Sequence, residues 1–97
     1  MNMSKLNPEF NDFAKAEKAV SDIHHEIEQN VARHGEALGW RGGMMMQFNK
    51  AYDTMVLTAY HLKLSGKADP VKDATMMKTV EHWLPVRKKC ETAQYLG

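Results

Sequence analysis

Apolar side chains recur every three or four residues along most of the chain, and the pattern divides into three runs. Phe10, Phe13, Val20, Ile27, Val31 and Leu38 form the first, on a line that also passes through Glu17, His24 and His34; Ala16 and Ile23 widen it. Lys15, Lys18, Asp22, His25, Glu26, Gln29 and Arg33 occupy the opposite side, so the run predicts an amphipathic helix. Asn7-Pro8-Glu9 supplies its start: a capping amide, a proline at the first helical position and an acid in the first turn. Gly35 or Gly39 supplies its end.

The second run begins after Gly43 and closes at Gly66, with Met45, Phe48, Tyr52, Met55, Ala59 and Leu62 as its main stripe and Met44 and Ala51 beside it. Asp69-Pro70 then repeats the cap-and-proline start, and the third run places Met76, Met77, Val80, Trp83 and Leu84 on one broad face. Pro85 lacks the N–H that would reach the carbonyl of Glu81 and disfavours helical geometry at Leu84. A kink or break is therefore expected there, followed by a short fourth helix. The predicted elements span about 8–36, 44–65, 70–84 and 86–95, after a flexible stretch at 1–7. No strand-type alternation, internal repeat or low-complexity tract accompanies them. The expected fold is all-α: one domain over 1–97, three long antiparallel helices in a small bundle, the third kinked or broken at Pro85.

"GWRGGMMMQF", residues 39–48, complicates the second helix. Successive residues on a helix point about 100° apart, so three adjacent methionines cannot share one core. Met45 joins the main stripe and Met44 its margin, whereas Met46 points nearly opposite, in line with Leu57, Tyr60 and Leu64. Lys50 and Asp53 interrupt that second line. A helix apolar on two sides is ordinarily covered on two sides, by its own chain, by a second copy or by a different molecule. Methionine adapts to varied partner shapes, and Trp40 and Arg41, between glycines, are of types enriched at interface hot spots. Trp40, Arg41, Met46, Leu57, Tyr60 and Leu64 are accordingly the candidate partner-binding residues.

Composition narrows the field. A chain of 97 residues, 43% hydrophobic and 26% charged, is that of a folded domain with a modest core. Net charge is only +1, with −2 on residues 1–49 and +3 on 50–97, well short of the footprint of a dedicated nucleic-acid binder. The single cysteine, Cys90, implies no internal disulfide, and no apolar run suits a signal peptide or membrane span, so a cytoplasmic protein is expected.

Five histidines raise the question of metal. Asp22 and His25, or His24 and Glu28, lie three and four apart and could share a helix face. Bundle metal centres, however, take acids and histidines from several helices, and His61 and His82 have no carboxylate three or four residues before them. His24 is expected instead to bond Glu28, and His25 to face solvent. Cys90 lies eight residues beyond His82 with no third group to complete a triad, and Gly39, Gly42 and Gly43 match no phosphate-binding loop. No catalytic residue, cofactor or metal ligand is assigned.

The sequence thus points first to a small non-enzymatic helical protein that docks on a macromolecular partner, or on a second copy of itself, and sequesters, inhibits or scaffolds it. Inhibitors that phages and mobile elements direct at host machinery share this size and character, an analogy at that level alone. The alternative is a nucleic-acid-associated regulator using Lys63, Lys67 and Lys72 around the second loop and Arg87, Lys88 and Lys89 after Pro85. A histidine-based metal-binding bundle ranks last.

Overall fold

The computed structural model describes residues 10–35 and 43–96, with only the backbone at Phe10 and at 91–96. All of the regular structure described is helical: α1 (Phe10–His34), α2 (Gly43–Leu64) and α3 (Pro70–Leu96). Leu38, Trp40, Arg41, the 1–7 stretch and the Asn7-Pro8 start lie outside the described residues.

The glycine and proline signals operate as expected. α1 ends at Gly35, whose positive φ of 89° and N–H bond to the Val31 carbonyl close the last turn. At the end of α2, Gly66 (φ 73°) donates to Lys63 and Lys67 to Leu62, the paired bonds of a Schellman turn. Asp69 caps α3, its side chain accepting from the Lys72 N–H at 2.8 Å.

The core is heptad-spaced. Phe13, Val20 and Ile27 of α1 are buried, as are Met76, Trp83 and Cys90 of α3. Each outer helix thus buries one core residue per two turns, at spacing seven. α2 gives more, burying Met45, Phe48, Tyr52, Met55 and Leu62 at alternating steps with Ala59 half-buried among them. α2 does so because it packs along both neighbours, whereas the backbones of α1 and α3 scarcely approach one another. Asn30 and His24 of α1 reach Met44 and Phe48 of α2, and Lys63, Tyr52 and Asp53 of α2 reach Asp73, Val80 and Arg87. Rising numbers on one helix therefore meet falling numbers on the next, and both helix pairs run antiparallel.

Two expectations require correction. α3 runs unbroken from Pro70 to Leu96 with Pro85 inside it, so there is no separate fourth helix. The cause lies on the other side of the helix: Trp83 and Cys90 are buried on either side of the proline, and Val86 packs beside them. Burial of that stripe outweighs the roughly 3 kcal/mol that an interior proline costs. Pro85 and Glu81 are both exposed, so water can serve the carbonyl left without its partner. Secondly, the face of α3 that enters the core is narrower than the sequence suggested. Met76, Val80 and Trp83 pack inward, but Met77 and Leu84 do not.

Cys90 is fully buried, and burial pushes its thiol from the ordinary 9.0 up to about 11, with Arg87 and Lys89 opposing more weakly. Burial likewise raises Tyr52, with Arg87 opposing. Below pH 9 both folded and unfolded chains keep the thiol proton, and its contribution to stability is complete. Above that the unfolded thiol ionises first, so stability falls as pH rises towards the folded value. Denaturant unfolding should show about 1.4 kcal/mol lost by pH 10 on this account. Cys90→Ala should flatten the slope by that amount; an unchanged slope would place the thiol in water. At neutral pH, native Cys90 should resist alkylation until the chain unfolds.

Candidate protein interface

On the outer side of α2, opposite the core, Met46, Leu57, Tyr60 and Leu64 remain 64%, 56%, 57% and 67% exposed. Neither α1 nor α3 covers them. They follow the expected helical line, with Lys50 and Asp53, both exposed, in its middle. The line continues α2's own heptad rhythm about half a turn away from the buried stripe, so the helix that forms the centre of the core also carries four of the exposed large apolar side chains among the described residues.

α3 widens this surface. Arg87, Val80 and Asp73 all reach α2, and at about 100° per residue Leu84 and Met77 follow them round the same flank of α3. Met77 is 48% exposed and Leu84 37%. The sequence does carry a signal for them: each follows a core residue, Met76 or Trp83, by one position, so they form a second line at spacing seven. Spacing alone merges that line with the core stripe into one broad face. An ion pair ties the two helices at its edge, Arg87 Nε to Asp53 Oδ1 at 3.5 Å, with Arg87 largely buried and Asp53 more than half exposed.

The cationic clusters are arranged differently. Lys63 lies 4.0 Å from Asp73, and Arg87 is committed to Asp53. Lys67 is half-buried, and Lys72, Lys88 and Lys89 are exposed. Lys72 and Lys88 stand sixteen residues apart on the same helix, roughly 24 Å at the helical rise per residue. The six cations therefore do not make one continuous patch.

His24, His25 and His82 are drawn into packing and helix-surface bonds. His24 Nδ1 meets Glu28 Oε1 at 2.9 Å, as its spacing suggested. The His24 ring stands edge-on to Trp83 at 5.2 Å, and that of His82 does the same at 4.9 Å. Trp83 Nε1 donates to Glu17 Oε2 at 3.2 Å, which joins α3 to α1 through side chains. His25 is exposed and pairs with Gln29, while Asp22 pairs with Lys18. Among the described residues, no three histidine, cysteine or acidic side chains gather as a metal site. The high pKa of Cys90 is the reverse of what activates a thiol nucleophile.

Fold and surface together define a small three-helix protein whose middle helix is buried on one side and bare and apolar on the other. Among the described residues, no helix is long and apolar enough to cross a membrane. Comparison with protein families, with curated proteins and with solved structures found no match to the chain.

Proposed function

We propose that this is a non-enzymatic interaction protein that docks on a protein partner through the outer face of α2, and so sequesters, inhibits or scaffolds it. The supporting observation is the exposure of Met46, Leu57, Tyr60 and Leu64 on one side of one helix. Exposed apolar side chains gathered on one face, here with Lys50 and Asp53 among them, mark interaction sites in folded domains. The methionine and the tyrosine are suited to it, the first by adaptability and the second by carrying a polar end on a large ring.

Substitution of Leu57 by glutamate tests this. The residue is exposed, so the change should leave the helical circular dichroism spectrum and melting temperature nearly unchanged. A partner captured by the wild-type chain from its native cell, and identified by mass spectrometry, should be lost from the variant. Equal capture by both would remove this face from the function. A partner whose binding instead collapses steeply with added salt would point to nucleic acid and the lysine clusters.

A further inference from the structure

The outer line of α2 carries a pattern of charge and size that selects its occupant. We propose, resting on the docking role just assigned to that face, that a second copy of this chain seats on it, α2 against α2, antiparallel about a two-fold axis level with the Ala51–Tyr52 step. The positions Met46, Lys50, Asp53, Leu57, Tyr60 and Leu64 alternate in steps of four and three, the seam of a two-helix coiled coil, and Gly43 begins the same series.

Direction and register follow from the two charges. Parallel packing would set Lys50 on Lys50 and Asp53 on Asp53, and like charges at facing positions repel. Antiparallel packing about the axis stated sets Lys50 against the partner's Asp53, twice by symmetry. The same register sets Met46 against the partner's Leu57, also twice. Tyr60, the largest side chain of the line, then falls opposite the partner's Gly43, an exposed first residue of the helix with open space where a side chain would stand. Sliding by one heptad in one direction would place Asp53 on the partner's Leu57, an acid on an apolar group with no cation facing it. Sliding in the other direction would place Lys50 on the partner's Met46, with no anion facing it. Large thus meets small, apolar meets apolar and cation meets anion in one register alone.

The rest of the fold is compatible with this seat. Asp53 is paired with Arg87 but stays more than half exposed, so a second cation can approach it. An axis perpendicular to both copies of α2 keeps α3 on the same flank as its counterpart. Leu84 lies midway between Val80 and Arg87, which Tyr52 and Asp53 reach, so it stands level with the axis. The two exposed Leu84 side chains are thereby brought to one side of the contact, extending it beyond α2.

Sedimentation equilibrium of the full chain, from micromolar to millimolar, tests the assignment. The wild type should approach twice the 11.1 kDa of one chain. Lys50→Asp should weaken self-association by roughly tenfold or more, as acid then faces acid twice. Asp53→Lys should do the same with cation facing cation. Mixing these two variants should restore dimers. In the mixed pair the introduced aspartate of one chain faces the introduced lysine of the other, and the remaining native Lys50 and Asp53 face each other. Should Asp53→Lys fail to fold, Leu57→Glu serves, with loss of dimer expected. A wild type that stays monomeric at millimolar concentration overturns the proposal, as does a dimer indifferent to Lys50→Asp and Leu57→Glu. A monomer whose capture of another protein still depends on Leu57 would refute self-association alone; a monomer indifferent there too would refute the docking role with it.

Discussion

Trp83→Ala should cost about 3–5 kcal/mol, the usual range for removing a large buried aromatic side chain. A domain of this size has roughly 5–15 kcal/mol in all, so the variant would keep little margin. At about 4–8 °C per kcal/mol, its melting temperature should fall by roughly 12 °C or more. Trp83 holds this position because it serves three elements at once. Its ring lies edge-on to Phe48 of α2 and His24 of α1, with centroids 6.2 and 5.2 Å away, and its indole N–H bonds Glu17. Trp83→Phe separates these contributions: it keeps most of the buried ring, gives up the bond to Glu17 and should cost only ~1 kcal/mol beyond the smaller ring. An alanine variant melting within a few degrees of wild type would mean that α1 and α3 are not joined through this side chain.

Pro85→Ala should act in the opposite direction. Alanine restores an N–H able to reach the Glu81 carbonyl and removes the ring that crowds the preceding turn, worth about 3 kcal/mol in a helix interior. The unfolded chain also becomes freer, which returns roughly 0.4–1 kcal/mol. A net stabilisation of about 2 kcal/mol is expected, visible as a higher denaturant midpoint at unchanged slope. Pro85 is exposed, so no core contact is lost. A lower midpoint would show that the proline shapes α3 for the seating of Val86 or Cys90.

The sequence and the structure agree where one physical rule acts alone. Gly35, Gly66 and Asp69-Pro70 end or begin helices because the backbone needs a positive φ or a capping oxygen there, and no distant contact can change that. The main stripe of α2 is legible for a similar reason, since a helix packed on both neighbours repeats its pattern strongly. Pro85 misleads because a local preference meets a larger tertiary one: Trp83 and Cys90 lie on one buried stripe across it. Met77 and Leu84 mislead because an apolar residue adjacent to a core position can turn inward or outward, and only the angle at which α2 and α3 pack decides. For the interface, Met46, Leu57, Tyr60 and Leu64 can be aligned from spacing, but whether the chain covers them depends on the placement of three helices in space.

One consequence concerns the order in which this chain assembles. α2 packs along both α1 and α3, and those two scarcely meet as backbones. Two helical hairpins, α1–α2 and α2–α3, can therefore form independently, each from neighbours in sequence, with short loops to close. Any half-formed state that retains one hairpin retains α2. Its amides should be the slowest to exchange with solvent deuterium, while those of α1 and α3 exchange by separate detachments of lower free energy. The helix that presents the bare apolar face would then be the last part of the molecule to come apart, so that face should persist even in copies that have let go of a neighbour.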